Sequence, residues 1–181
     1  GPRRRLRGAR HSLTVEPQTL LWNRIHKKAW PEPDDNRAAN QMELLMQIAE
    51  EYGWVHYEIS NFCLPRQFSR HNSSYWKGVK YLGLGPSAHS YNGNSRQWNV
   101  AGNPAYIKSV LSGQPAYEKE ELSPEQKYNE YILTSLRTMW GCNPEKVRSD
   151  FGEALFRHFS QNVDRNIRKD LVRNEGDAII L

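Results

Sequence analysis

The chain has 181 residues, and its 25 basic and 20 acidic residues give it a formal net charge of +5. Five arginines fall within residues 1–10, so the rest of the chain is neutral and its composition does not favour nucleic-acid binding. No apolar run approaches the ~20 residues that span a membrane, and two widely separated cysteines fit a reducing compartment without forming a zinc or iron–sulfur site, so we expect a cytoplasmic protein with no membrane span.

The first predicted elements follow a basic arm at residues 1–10, which we expect to be disordered or foreign to the rest of the chain. Residues 11–16 predict a short strand. Asp34 or Asp35 should cap a helix that ends before Gly53. One apolar stripe runs along this predicted helix and consists of Ala38, Met42, Leu45 and Ala49.

Residues 54–60 predict a second strand, because apolar and polar residues alternate along them. Its two faces would hold Val55, Tyr57 and Ile59 on one side and His56, Glu58 and Ser60 on the other. Residues 80–84 predict another short strand. A strand–helix–strand order is typical of a parallel sheet covered by helices, so the predicted fold class is α/β.

The composition changes near Pro115, and the rest of the chain mostly predicts helices. Ser123-Pro124-Glu125-Gln126 is a capping box with proline at the first helical position. The helix that it begins should run to Trp140 and stop at Gly141. Asn143-Pro144 should begin a second helix in the same way.

Further helical segments are predicted at 152–160 and 163–173, and residues 178–181 predict a strand. Helices followed by a strand without a hairpin partner indicate a winged-helix-like domain that lacks its wing. We expect residues 11–115 to form one domain and residues 116–181 a truncated second one. The sequence patterns at both ends indicate that this chain is part of a longer protein.

The segment SRHNSSYW at 69–76 brings together an imidazole, a carboxamide, a phenol and an indole. In a helix, His71 and Tyr75 are i,i+4 neighbours, and Asn72 and Trp76 form a second such pair beside them. A neutral imidazole ligates heme iron well, and aromatic rings cover a porphyrin face. The same residues can instead fill a core, with His71 in a structural hydrogen bond, so both interpretations stay open.

Residues 81–90, YLGLGPSAHS, form a glycine-rich segment. Gly83, Gly85 and Ala88 match the spacing G-x-G-x-x-A, but the dinucleotide fingerprint requires a helix to open at this turn. The continuation, HSYNGNSRQWN, is loop-like, so we exclude a Rossmann site. A loop whose glycines let the backbone approach a ligand and a tight structural turn both stay open.

Charged side chains give weaker signals. Glu16 and Glu58 lie near predicted strand ends, where paired carboxylates could run acid–base chemistry, but solvated or salt-bridged carboxylates explain them as well. Arg70 and Arg96 could bind the carboxylates of a ligand or lie on the surface. Basic residues in 163–173 would suit a DNA recognition helix, although acidic residues interrupt them.

Three segments together resemble one known family: YEISNF at 57–62, SRHNSSYW, and YLGLGPSAHSY at 81–91. They are similar to the second half of oxygen-independent coproporphyrinogen III oxidase-like radical SAM proteins, and SLTVEP at 12–17 is similar too. HNSSYW matches the HNxxYW pattern that is typical of the HemW-type heme chaperone branch and not of the oxidases. From about residue 11 onward, the chain therefore resembles the C-terminal portion of such a protein.

The resemblance implies the C-terminal part of a partial (β/α) radical SAM barrel, followed by the helical domain. It also implies that the full-length protein binds heme, S-adenosylmethionine and a 4Fe–4S cluster, with heme or porphyrin and heme-acceptor proteins as partners. The implied heme-handling group is His71, Asn72, Tyr75 and Trp76. The implied neighbours of S-adenosylmethionine are Thr14, Ala88 and His89.

The chain itself has no cysteine motif for the cluster. We therefore expect no tightly bound cofactor, no metal site, no assignable catalytic residue and no activity in this chain alone. Two alternatives remain. A true oxygen-independent coproporphyrinogen III oxidase would use this portion for substrate contacts during porphyrinogen decarboxylation, and a winged-helix DNA-binding module is the more remote possibility.

Overall fold

The computed structural model describes residues 15–181 and, for the backbone alone, residues 7–9. The chain forms two compact units, Gly1–Ser69 and Arg70–Leu181. The domain boundary predicted near residue 115 stays a prediction.

Two sequence predictions fall largely outside the described residues. They are the strand at 11–16, which includes Thr14, and the basic arm at 1–10. Within that arm, Arg7–Ala9 forms a strand, β1, that pairs antiparallel with β3, Asn61–Cys63. These three residues therefore belong to a sheet, whereas the composition favoured a disordered arm.

Two helices lie in the first unit: α1, Leu20–His26, and α2, Asp35–Glu51. The predicted cap of α2 is confirmed, since Asp34 Oδ1 accepts a hydrogen bond from the backbone N–H of Arg37 at 3.1 Å. Gly53 follows the helix with a φ of 69°, a left-handed conformation that favours glycine. The predicted stripe is the covered face, with Ala49 buried and three residues half-buried: Ala38, Met42 and Leu45.

The sheet of the first unit has the order β1–β3–β2, where β2 is Val55–Glu58. Both pairings are antiparallel, so the parallel sheet predicted from the strand–helix–strand order is wrong for the described strands. The alternation predicted over 54–60 also fails, because the chain turns after Glu58 and returns as β3. Glu58 is buried as a result, and Ile59 at the turn is 42% exposed.

A second three-stranded sheet, in the order β4–β5–β6, lies in the second unit and is antiparallel throughout. Its strands, with the helix α4 that joins the last two, are β4 His89–Tyr91, β5 Ser95–Asn99, α4 Asn103–Leu111 and β6 Tyr117–Glu121. The segment HSYNGNSRQWN, predicted as a loop, is the β4–β5 hairpin. At its turn, Asn92 Oδ1 accepts hydrogen bonds from the backbone N–H groups of Asn94 and Ser95.

The segment before β4 is less regular than predicted. After α3, Arg70–Trp76, the strand expected at 80–84 is reduced to one antiparallel bridge between Tyr81 and Tyr91. The backbone N–H of Gly83 then donates to the Ser90 side chain at 2.9 Å instead of to a neighbouring strand. The prediction of a strand is therefore wrong, although the segment does lie along β4.

The predicted capping box is confirmed at α5, Pro124–Leu136. Ser123 Oγ accepts from the backbone N–H of Gln126 at 3.2 Å, and Gln126 Oε1 accepts from the backbone N–H of Ser123 at 2.7 Å. The helix ends at Leu136, before the predicted end at Trp140, and turns follow it at Arg137 and at Met139 and Trp140.

The helix that Asn143 begins is longer than predicted. It is α6, Pro144–Ile167, and the Asn143 side chain caps its first turn. Gly152 interrupts it with a φ of 82°. The segments predicted separately at 152–160 and 163–173 therefore belong to one kinked helix, and the second of them stops at Ile167.

The prediction that the last strand lacks a hairpin partner is wrong. Arg173–Glu175, β7, pairs antiparallel with Ala178–Ile180, β8, and Gly176 forms the turn with a φ of 60°. Cys142 and Ile179 exchange two backbone hydrogen bonds of 2.8 Å. The hairpin is therefore fastened to the segment that links α5 to α6.

The helices and this hairpin share a hydrophobic core. Its buried members are Tyr128, Cys142, Val147, Phe159 and Ile179. None of the helices in the described part of the chain combines the length and apolar character needed to cross a bilayer.

Candidate functional site

Residues 70–76 of the motif SRHNSSYW form a helix, α3, which is the condition under which His71 and Tyr75 are i,i+4 neighbours. α3 ends in a Schellman motif, in which the backbone N–H of Gly78 donates to the carbonyl of Tyr75 at 3.1 Å and that of Val79 donates to the carbonyl of Ser74 at 2.9 Å. Gly78 has a φ of 64°, which this motif requires. The seven-residue helix is therefore terminated by its own sequence.

His71 and Tyr75 lie together on the exposed side of α3. Their ring centroids are 4.9 Å apart and the rings are nearly perpendicular, at 88°. Tyr75 is 44% exposed, and Val79, four residues further on, is 49% exposed. The structure thus presents an imidazole beside an aromatic ring where both are accessible.

The second pair of the motif has a different environment. Asn72 and Trp76 are half-buried, and Ser73 between them is buried. The two interpretations of the motif therefore apply to different residues. His71 and Tyr75 are accessible to a ligand, whereas much of the Trp76 side chain is covered by packing.

A row of tyrosines continues from Tyr75 into the β4–β5–β6 sheet. The Tyr75 and Tyr81 rings are 4.9 Å apart at 77°, and the Tyr81 and Tyr91 rings are 6.1 Å apart at 39°. Two backbone hydrogen bonds of 2.9 Å join Tyr81 to Tyr91. Partial burial raises the pKa of the Tyr81 phenol, which nearby Arg96 opposes, so this residue is a neutral phenol at physiological pH.

Arg96 stands at the far end of this row. It faces Tyr91 across β4 and β5, with its guanidinium carbon 6.0 Å from the ring centroid. Its guanidinium also contacts Glu130 on α5 at 2.5 Å. Two arginines were considered for binding ligand carboxylates. Arg96 already forms an ion pair with Glu130 of the protein itself. Arg70, which is exposed on α3, is not part of that ion pair.

The glycine-rich loop is held by side chains of the protein itself. Asn99 Nδ2 donates to the carbonyl of Gly85 at 2.9 Å, and the backbone N–H of Gly85 donates to the Tyr106 hydroxyl at 3.1 Å. Gly83 approaches the backbone of His89 so closely that no side chain fits there. Gly83 therefore serves close approach between two segments of the chain, whereas Gly85 has free space beside it and a φ of 112° that favours glycine.

Ala88 and His89, predicted near S-adenosylmethionine, lie where this loop meets β4. Ala88 is half-buried, and its carbonyl accepts from the backbone N–H of Asn99 at 3.1 Å. His89 is exposed, with its ring 5.9 Å from that of Trp98. Trp98 Nε1 donates to Glu118 at 3.1 Å, which fixes the indole beside the imidazole.

The carboxylates considered for acid–base chemistry have unlike surroundings. Glu58 is buried, and its Oε2 accepts from the backbone N–H of Ser60 at 3.0 Å and from Asn61 Nδ2 at 2.5 Å. Glu16 is exposed. The solvated alternative is therefore wrong for Glu58, whose hydrogen bonds close the β2–β3 turn.

The basic residues considered for DNA recognition do not share one helix. Arg165 lies in the last turn of α6 and donates to Asn162 at 2.9 Å. Arg173 instead begins β7 and contacts Glu175 at 3.3 Å. The remote alternative therefore lacks the continuous basic helix that it requires.

Metal binding finds little support in the part of the chain that the structure describes. No group of three or more histidine, cysteine, aspartate or glutamate side chains able to hold a metal ion occurs among the described residues. The two cysteines of the sequence, Cys63 and Cys142, are both fully buried. Burial raises the pKa of the Cys142 thiol to about 11, which disfavours the thiolate that binds metals. A 4Fe–4S cluster needs more thiolates than this sequence holds, so the chain does not fit one.

Heme places different demands on a site. It needs an accessible imidazole for the iron and apolar or aromatic surface for the porphyrin. His71 and Tyr75 satisfy both demands at one place on α3. These residues fit heme as a ligand.

Comparison with known proteins gives a consistent result. No protein-family model matches the chain. The heme chaperone HemW of Bacillus subtilis is 31% identical over 172 residues, which are 94% of this chain and 45% of that protein. The heme chaperone HemW of Mycobacterium tuberculosis strain H37Rv is 40% identical over 90 residues, or 50% of this chain and 23% of that protein. The solved structure of coproporphyrinogen III oxidase (HemN) from Escherichia coli, described as a radical SAM enzyme, superposes with a TM-score of 0.61 and 15% identity over 82% of this chain and 38% of that one.

The chain belongs to the HemW/HemN-like radical SAM proteins. This confirms the resemblance drawn from YEISNF, SRHNSSYW and YLGLGPSAHSY, and the mixed α/β content agrees with the HemN fold. The chain spans about half the length of the first HemW relatives that it matches, 45% in Bacillus subtilis. The HemW relatives from Bacillus subtilis and Lactococcus lactis are each described as heme chaperones.

The sequence singled out Arg96, as a candidate for binding ligand carboxylates, but it did not lead to Tyr81, Tyr91 or Glu130 or to the contacts among the four. Tyr81, Tyr91, Arg96 and Glu130 come from four separate segments, and no spacing rule connects them. One signal was present: Asn-Gly at 92–93 predicts a hairpin, although a turn centred on these two residues would pair Tyr91 with Asn94, whereas the observed register pairs Tyr91 with Arg96.

Proposed function

We propose that this chain is part of a HemW-like heme chaperone and that His71 and Tyr75 of α3 bind heme in it. The observation that carries the proposal is the accessible imidazole set edge-on against the accessible Tyr75 ring, 4.9 Å away. A buried histidine with its nitrogens paired would have favoured a structural role. Here the imidazole has the exposure that an incoming iron porphyrin requires.

The chemistry of each group follows from its place on the helix. The His71 imidazole supplies a nitrogen ligand for the iron, the usual role of histidine at heme. Tyr75 and Val79 offer ring and aliphatic surface to the porphyrin, whose burial is favourable in proportion to the apolar area covered. Asn72, beside His71, orients the imidazole or binds a propionate, and Trp76 supports the helix from its half-buried side.

The whole protein would have further components. S-adenosylmethionine and a 4Fe–4S cluster would be bound mainly by the part of the full-length protein that lies outside this chain. Ala88, His89 and Thr14 would lie near the S-adenosylmethionine pocket. The family fold would be a partial (β/α) barrel followed by a winged-helix-like domain, for which α5, α6 and the β7–β8 hairpin have a suitable order. We place the protein in the cytoplasm, with heme-acceptor proteins as its partners.

The alternative is a true coproporphyrinogen III oxidase, and the likeness to the E. coli HemN fold is the observation that favours it. The two functions separate in an anaerobic assay of the full-length protein with a reconstituted cluster. Propionate decarboxylation of coproporphyrinogen III would establish the oxidase. Hemin binding without decarboxylation supports the chaperone.

Titration with hemin, followed at the Soret band, tests the role of His71 in the 181-residue chain. We expect His71→Ala to weaken binding by about tenfold or more, as changes at a metal's coordination shell do, and to change the spin state of the bound iron. His158→Gln is the matched control, because His158 is an exposed histidine on a different helix, α6, with its ring 6.4 Å from that of Tyr128. Identical titrations of wild type and His71→Ala would overturn the proposal.

A further inference from the structure

The orientation of His71 cannot be fixed by α3 alone. α3 has only seven residues, and a helix that short is marginal in water without tertiary contacts. Both His71 and Tyr75 are exposed on it, so the surrounding core does not lock their rings. The ring of His71 packs against that of Tyr75, so a residue that fixes Tyr75 also restrains the imidazole.

Tyr81 is the neighbour that meets this requirement. Its ring packs edge-on against Tyr75 at 4.9 Å, the same spacing as that between Tyr75 and His71. Two backbone hydrogen bonds to Tyr91 fix Tyr81 beside β4. Aromatic pairs of this geometry contribute beyond the area they bury, so Tyr81 restrains the side chain that in turn restrains the imidazole.

The sheet end of the row is itself secured by charge. Arg96 lies over the Tyr91 ring at 6.0 Å and contacts Glu130 of α5 at 2.5 Å. A guanidinium that is held by a carboxylate keeps a fixed place over a ring better than a free side chain does. The chain of contacts from α5 through the sheet to α3 is therefore continuous.

We infer that Tyr81 is a positioning residue for the heme site, and that Arg96 and Glu130 hold it in place. We call Tyr81, Tyr91, Arg96 and Glu130 the tyrosine brace. It does not touch the ligand, and it acts through Tyr75 on the imidazole of His71. The inference rests on the proposed function for its ligand, but the geometry it asserts exists in the ligand-free chain.

Two variants of Tyr81 separate positioning from simple stability. Tyr81→Phe keeps the ring that contacts Tyr75, whereas Tyr81→Leu removes it and keeps an apolar side chain of core size. In the ligand-free chain, we expect the imidazole proton resonances of His71 in NMR spectra to shift in Tyr81→Leu, where Tyr75 loses its ring partner and moves, and to stay in place in Tyr81→Phe, where the ring partner is kept. Far-UV circular dichroism checks that both variants are folded.

The same variants are then titrated with hemin. We expect Tyr81→Leu to bind hemin about three- to tenfold more weakly, the range that the loss of one aromatic pair gives. The spin state of the bound iron should also change in this variant. Tyr81→Phe should match wild type in both measurements. Glu130→Gln should show a smaller loss, since it frees Arg96 without removing a ring.

The outcomes distinguish the two proposals. Unchanged His71 resonances in folded Tyr81→Leu overturn the brace, whatever happens to hemin. Shifted resonances with unchanged hemin affinity and spin state also overturn its role at the site. Unchanged hemin binding by His71→Ala overturns the proposed function instead, and the resonances still decide whether the brace positions this imidazole.

Discussion

Gly83 lies against the backbone of His89 so closely that a Cβ atom at Gly83 would stand 2.1 Å from the His89 carbonyl oxygen. The neighbouring segment is fixed, since Ser90 Oγ accepts from the backbone N–H of Gly83. Neither partner can move away without losing the hydrogen bonds that join the loop to β4. The glycine at this position is thus required by the chain's own packing.

We therefore predict that Gly83→Ala destabilises the chain by about 1–3 kcal/mol, the usual cost of forcing a group into filled space. Urea unfolding followed by circular dichroism measures the change. Leu84→Ala is the control, because Leu84 is in the same loop and is 81% exposed, so it should stay within about 0.5 kcal/mol of wild type. A fully stable Gly83→Ala would show that the loop can shift away from β4.

The cap of α5 gives a second prediction. Ser123→Ala removes the acceptor of the Gln126 backbone N–H and should cost about 1 kcal/mol of unfolding free energy. Ser123→Thr keeps both the acceptor for Gln126 and the hydroxyl that donates to Glu125 at 3.0 Å, so it should stay close to wild type. Thermal or urea unfolding of the three proteins makes the comparison, and equal losses in both variants would argue against the hydrogen bond as the cause.

The buried thiol of Cys142 gives a pH dependence. Burial raises its pKa from 9.0 to about 11, so the unfolded chain releases this proton first as the pH rises. The contribution to stability is complete below the unfolded value and is lost as the pH rises through the folded one. The free energy of unfolding should therefore fall between about pH 9 and pH 11, by at most about 1.4 kcal/mol per pH unit from this group.

Cys142→Ser is the test for that slope, because a serine hydroxyl does not titrate in this range. Its stability at pH 8 will be lower from the changed core, so the slopes are compared and not the absolute values. Tyr128 and Tyr131 also have raised pKa values through burial and titrate in both proteins. Equal slopes in wild type and Cys142→Ser would mean that the thiol does not contribute.

The sequence predicted best where the determinants are local. The Asp34 cap, the Ser123–Gln126 box and the Asn143 helix start each depend on residues within one turn, and all three are confirmed. The helix of His71 and Tyr75 was only a condition of their predicted pairing, and the structure meets that condition.

Prediction from the sequence failed where strand pairing or ring contacts join segments that are distant in the chain. The alternation over 54–60 looked like one strand, but the side chains of Glu58 and Asn61 close a turn within it. The β8 strand seemed unpaired because its partner β7 has no buried residue, so no hydrophobic pattern in the sequence predicts β7. The partners of Tyr81 could not be predicted for the same reason, since aromatic contacts between separate segments leave no period in the sequence.

The bond between the β7–β8 hairpin and Cys142 affects how the second unit is completed during synthesis. α5 and α6 can form as soon as they leave the ribosome, because their hydrogen bonds are internal. Ile179 follows both helices in the sequence, and it supplies one wall of the core that holds Tyr128 and Phe159. A nascent chain would therefore present this apolar surface to the cell until the hairpin emerges, and this interval is when the unit is most exposed to aggregation.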